Sequence, residues 1–188
     1  MPQSKILTDT NSYLRLAHSI RPLLCIEFGD KNYCLYVLPE TNSEIQKSSR
    51  LKTKFFWALE KEHCDERSQT VTVSRQQKKL IADAYSFIWD HVESELPGPS
   101  RVDAMYLAHS YVLGLPVVTD DRDMHALAQA FDIKTQKTLD LLKLMVDSTH
   151  ITLSSVTALV QYWHYNKDTP ADFQVDLSRI FENQIPHP

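Results

Sequence analysis

Leu115-Pro116-Val117-Val118-Thr119-Asp120-Asp121-Arg122-Asp123-Met124 decides how the rest of the chain is read. A short apolar run bounded by proline is the pattern of a buried strand. Here it runs at once into three acids and then into helical spacing from about Asp123 to Phe131. Upstream, Gly114 stands where a helix C-terminal cap falls. The helix it closes starts at Ser100-x-x-Asp103, the form of an N-terminal capping box. Before that, Leu96-Pro97-Gly98-Pro99 is the strongest chain breaker in the sequence. The N-terminus repeats the same syntax: Lys5-Ile6-Leu7-Thr8 is a short strand followed directly by Asp9-Thr10-Asn11 and a helical pattern over Ser12 to Ile20, which Arg21-Pro22 ends.

Between these segments the pattern alternates. Leu23–Phe28 and Lys31–Val37 flank Gly29-Asp30 and are expected to form a hairpin, with Cys25 opposite Cys34 and both thiols reduced. Asn42-Ser43 is read as a helix start, with a helix from Glu44 to about His63 and a second from about Arg75 to Glu95. A possible strand at Ile133–Thr135 precedes helical stretches at about 139–147 and 152–165, and then a proline-containing tail. Strands alternating with helices imply an α/β three-layer sandwich around a mainly parallel central sheet. The expected organisation is a domain over 1–140 with a helical extension, 141–188, packed on it.

Composition narrows the classes. The chain has 188 residues, 43% hydrophobic and 23% charged, with three glycines, which suits an ordinary globular domain. No stretch reaches the run of about 18 apolar residues that a membrane span needs. The N-terminus lacks the apolar stretch of a signal peptide, and three cysteines without CxxC spacing suit a reducing compartment, so a cytoplasmic location is expected. A net charge of −4 gives no general attraction for nucleic acid, so any such binding needs a local basic patch or a bound cation. HExxH, GxGxxG, P-loop and GxSxG patterns are all missing, which removes the usual zinc-hydrolase, nucleotide and serine-hydrolase readings. Cys64 stands between His63 and Asp65, but adjacency in sequence does not make a catalytic dyad.

The acids carry the chemistry. In a parallel sheet the strand C-termini and the N-termini of the following helices share one edge, where ligands bind. Asp9 and Asp121 follow strands, and Glu44 and Asp103 fall in the first turns of expected helices. Any one of them alone reads as a helix cap, contributing roughly 0.5–2 kcal/mol. Four from four separate segments are less readily a coincidence. Crowded carboxylates need a counter-charge, and an all-oxygen set suits Mg²⁺ or Mn²⁺.

The same residues resemble a known family. Asp9-Thr10-Asn11 behind a short strand is similar to the opening of PIN-domain nucleases. Asp103-Ala104, Ala108, Gly114 and then Val117-Val118-Thr119-Asp120-Asp121-Arg122-Asp123 resemble its second half, where an acid, an alanine-bearing helix, a glycine and a buried strand lead into Thr-x-Asp-x-Asp. The resemblance implies a metal-dependent endoribonuclease similar to the VapC-type toxins of bacterial toxin–antitoxin systems. Carried over residue by residue, it implies Mg²⁺ or Mn²⁺ on Asp9, Asp103 and Asp121. Glu44 completes the catalytic set, Asp123 is an auxiliary acid, and Asn11 and Thr119 are positioning neighbours. It also implies an RNA substrate, an antitoxin partner with a peptide arm across the site, and a homodimer. Asp120 falls at the variable place of the motif. Two departures stand out. Lys47-Ser48 replaces the glycine the family often has shortly after the second acid, which leaves Glu40 as an alternative to Glu44. The 23–37 segment and the C-terminal extension exceed a minimal domain of this kind.

RNA contact is expected from Lys47, Arg50, Lys52 and Lys54, or from Arg75, Lys78 and Lys79, while Phe55, Phe56 and Trp57 are read as core. Two other functions compete: a non-catalytic PIN-like binding module, and a magnesium-dependent phosphoacceptor or phosphatase domain. The latter would want a D-x-D pair after the first strand, and Asp9-Thr10-Asn11 supplies one acid.

Overall fold

Every strand of the sheet is short, and its pairing is parallel throughout. In the computed structural model, which describes residues 2–182 and 184–185, β1 (Ser4–Thr8) lies between β2 (Tyr33–Tyr36) and β3 (Val117–Val118), and β4 (Thr135–Gln136) closes the other side, giving the order β2-β1-β3-β4. Leu7 pairs with Tyr36 on one side and with Val117 on the other. Parallel neighbours need crossovers, and helices supply them: α1 (Thr10–Leu16), α5 (Arg75–Ser94), α6 (Arg101–Leu113) and α7 (Arg122–Ala130), with α8 (Thr138–Asp147) leaving the last strand.

Strand alternation divides the core in two. Ile6 and Val118 face a cluster built with α1, α8, α9 (Leu153–Tyr165) and α10 (Phe173–Phe181). Leu7 and Val117 face the other way, onto α5, α6 and α7. The protein is therefore a three-layer α/β sandwich, as expected. Among the described residues no helix is long and apolar enough to cross a membrane.

Several local expectations are corrected. α1 stops at Leu16, and Ser19 and Ile20 continue only as turns bonded to the Leu16 carbonyl. The hairpin at 23–37 does not form. Phe28 and Tyr33 make a single antiparallel bridge around the turn, while β2 pairs in parallel with β1. The first arm is diverted because the Leu23 and Leu24 N–H groups donate to the Glu66 carboxylate, and Cys25 adopts a left-handed conformation. Cys25 and Cys34 are free thiols.

The long helix expected from Glu44 is instead α2 (Pro39–Lys47), α3 (Ser49–Lys54), a 3₁₀ turn (Phe56–Leu59) and α4 (Lys61–Ser68). Pro39 sets the start of α2, since a proline at the first helical position has its φ already fixed and loses no hydrogen bond. Glu44 therefore sits in the second turn, not the first. Trp57 is buried as expected, but Phe56 is at the surface. The tail contains α10, whose Phe173, Leu177 and Phe181 recur at four-residue spacing on the buried face.

The expected boundary at residue 140 falls inside α8. Trp163 is 1% exposed, and its indole N–H donates to the Arg15 carbonyl at 3.0 Å. Trp163→Ala is expected to destabilise the whole protein by about 3–5 kcal/mol in a single denaturant transition. Two separate transitions would show that the extension folds on its own.

Candidate active site

Asp9 is buried and held through both of its carboxylate oxygens. It caps α1, taking the Ser12 N–H on Oδ1 at 2.7 Å, while Thr119 donates its hydroxyl to Oδ2 at 2.7 Å. Only 4% of the residue is exposed. Burial pushes its carboxyl up to about 6; the Ser12 and Thr119 bonds pull the other way, and the charge of Asp120 adds a further upward push.

Thr119 joins two acids. Its Oγ1 accepts the Asp121 N–H at 3.1 Å while donating to Asp9. Asp121 then caps α7, its Oδ1 taking the N–H groups of Asp123 and Met124 at 2.8 and 3.0 Å. Asp103 sits at the third position of α6 in a reciprocal capping box with Ser100. Burial holds its carboxyl above the ordinary range, and the charges of Asp121 and Glu44 push the same way against the Ser100 hydrogen bonds. These are the caps that sequence reading anticipates for isolated acids. What caps alone do not explain is that Asp103 lies within electrostatic reach of both Asp121 and Glu44.

Glu44 reaches the group from α2, accepting the Thr10 hydroxyl on Oε2 at 2.6 Å, one residue beyond Asp9. Glu40 lies one turn earlier and lines a different cavity with Leu38 and Val71. Of these two candidates, Glu44 is the one that faces the other acids. Asp120 turns away from them: Arg15 and the Thr138 hydroxyl hold its Oδ2 at 2.8 and 2.6 Å, and the Thr138 N–H holds Oδ1 at 3.0 Å. Asp123 is exposed and packs against Gly98. There a Cβ would come within 2.8 Å of its carboxylate and φ is +152°, so glycine alone fits the turn.

Two clefts open on this edge, of about 390 and 300 Å³. Asn11 and Arg15 line both; Asp121 and Asp123 lie in the first, Arg50 and Lys54 in the second. Lys54 is also paired with Asp168 at 2.6 Å. Lys47 lies in the last turn of α2 and is exposed, and Lys52 is exposed on α3. Neither lines these clefts, nor do Arg75, Lys78 and Lys79.

Sequence reading missed four residues here. Thr10 and Ser12 are hidden by their ordinary character beside Asp9. Arg15 and Arg122 needed three-dimensional information, since Arg15 meets Asp120 and Arg122 meets Asp172 at 2.7 Å only through the fold.

A hard divalent cation fits the chemistry of this donor set: all are carboxylates, Asp9 is buried with no cationic partner among the described residues, and Asp103 is raised by burial and by neighbouring negative charge. In this structure Asp9, Asp103 and Asp121 are each engaged in a helix cap, and Glu44 accepts the Thr10 hydroxyl. Among the described residues no three His, Cys, Asp or Glu side chains converge closely enough to form a ready-made cage. Compared with known protein families and with curated protein sequences, the chain matches none.

The raised Asp9 carboxyl has a consequence for stability. Its folded pKa exceeds the unfolded 3.8, so its favourable contribution is complete below about pH 4 and lost as pH rises through about 6. Asp9→Asn keeps an acceptor for the Ser12 N–H but removes the buried charge. In metal-free buffer the variant is expected to be more stable than the wild type by about 1–3 kcal/mol at pH 7.5, with the gain vanishing near pH 4. Equal stability at both pH values would contradict the account of Asp9.

Proposed function

We propose that this protein is a metal-dependent endoribonuclease that hydrolyses RNA phosphodiesters at the edge formed by Asp9, Glu44, Asp103 and Asp121. The observation that supports the reading is that the charges of Asp121 and Glu44 both act on Asp103, while Thr119 bridges Asp9 and Asp121, so acids from separate elements lie along one edge of a parallel sheet. Mg²⁺ or Mn²⁺, when bound by Asp9, Asp103 and Asp121, would supply the positive charge that stabilises a phosphodiester transition state and acidifies water.

The remaining work falls to the chain's own groups. Thr119 and Ser12 fix the Asp9 carboxylate, and Thr10 fixes that of Glu44. Asn11 and Arg15 line the clefts on either side of the edge, and Arg50 lies further along, where a phosphate backbone would be oriented without being read for sequence. An antitoxin-like protein partner and a homodimer belong to the same reading and rest on the resemblance of the motifs.

A second reading, a PIN-like module that binds without cutting, is favoured by the separate capping of Asp9, Asp103 and Asp121. A phosphoacceptor role is less supported, since Asp9 is buried and both its oxygens already accept hydrogen bonds.

Purified protein with total RNA and MnCl₂ or MgCl₂ separates these readings. Cleavage is expected to disappear in EDTA and to fall by at least about a hundredfold, roughly 2.7 kcal/mol, in Asp103→Asn. Cleavage that survives in Asp103→Asn or in EDTA would remove the metal–carboxylate assignment. No cleavage by the wild type would leave the binding module as the better reading.

A further inference from the structure

A cavity of about 540 Å³ shares no lining residue with the clefts at the acidic edge. Leu38, Ile81 and Met105 give it an apolar floor, and one wall is Thr70-Val71-Thr72-Val73, between α4 and α5. That segment has the sequence of a strand but belongs to no sheet. The residues on either side of it, Gln69 and Ser74, are extended, Val71 is buried, and Thr70 and Thr72 are exposed. This is the alternation of a half-buried strand.

Among the described residues, the backbone N–H and C=O groups of Thr70 to Val73 have no backbone hydrogen-bond partner. A row of such groups along an apolar groove is the template on which an extended peptide adds as a strand.

The groove also states a charge preference. Glu40 lines it, and its Oε2 is buried with no hydrogen-bond partner among the described residues. Lys78 lines the same cavity but makes no ion pair with Glu40 among the described residues. His109 is the other titratable group on the wall, and its Nδ1 lies 2.9 Å from the Met105 carbonyl oxygen. A buried carboxylate oxygen beside apolar side chains is costly unless a cation meets it.

We propose that this groove is a docking site for an extended segment of a partner protein, whose main chain pairs with Thr70–Val73 and whose one Lys or Arg side chain enters the cavity to meet Glu40. Apolar or β-branched residues flank that basic residue and cover Val71 and Ile81. The site is independent of the nuclease reading, since none of its residues lies at the acidic edge.

Phage-displayed random heptapeptides panned on the full-length protein test this directly. The selected peptide would be synthesised with a fluorescein label and measured by polarisation. The expected selection is a basic residue between apolar or β-branched ones. Affinity should fall at least tenfold in Glu40→Gln and stay unchanged in Asp103→Asn. Replacing the peptide's arginine by citrulline, or its lysine by norleucine, should cause a similar loss without altering the protein, so a misfolded Glu40→Gln would not decide the matter. N-methylation of alternate peptide bonds should also abolish binding. Three results would overturn the proposal: no enrichment over protein-free wells, selected peptides without a basic residue, or binding insensitive to both charge changes.

Discussion

The buried carboxylate of Asp9 is the constraint around which this edge of the protein is arranged. One oxygen starts α1 through the Ser12 N–H, and the other is gripped by Thr119 at the end of β3. The Asp9 N–H in turn donates to the Val118 carbonyl, so backbone and side chain together tie β1 to β3. Thr119 passes the connection to Asp121 and hence to the start of α7. A charge in this position opposes folding at neutral pH, because burial raises the carboxyl to about 6. Perturbed carboxyls of this kind cluster at functional sites.

The C-terminal extension bears on the same edge. Trp163 docks on the Arg15 carbonyl, and the Arg15 guanidinium spans Asp120 and the Asp168 carbonyl. Burial pushes the Asp176 carboxyl up, but Lys137 and Arg179 outweigh it and hold the group below its ordinary range. Beyond α9, Asp168 and Asp172 pair with Lys54 and Arg122 at the rim of the two clefts. Pairs as exposed as Arg122–Asp172 are individually worth little. Their effect is to set which cations at the rim face solvent: Arg50 makes no ion pair among the described residues, whereas Lys54 is partly neutralised.

What the sequence made legible was its punctuation. The Ser100 capping box, Gly114 in a left-handed conformation and the Pro97-Gly98-Pro99 break all stand where local rules place them. Those rules also located Asp103 and Asp121, because helix starts beside strand ends are positions that local chemistry defines. The 23–37 segment was misread because its first arm is held by Glu66, a residue some forty positions away. No local pattern reports such a partner. α2 was misplaced because Asn42-Ser43 is a good cap in isolation, whereas Pro39 begins the helix earlier. α10 was hidden by Pro170 and by its short length, and its apolar face has meaning only against α8. The Glu44–Thr10 contact follows from that same unforeseen start of α2.

The central claim, that a divalent cation belongs among Asp9, Glu44, Asp103 and Asp121, is tested most directly by titrating Mn²⁺ into ¹⁵N-labelled protein and following paramagnetic loss of amide signals. The account predicts that Asp9, Thr10, Asp103 and Asp121 lose intensity first, at substoichiometric metal, and that excess Mg²⁺ restores them. Uniform loss across the surface, or first loss at Glu62 and Asp65 on exposed α4, would contradict it.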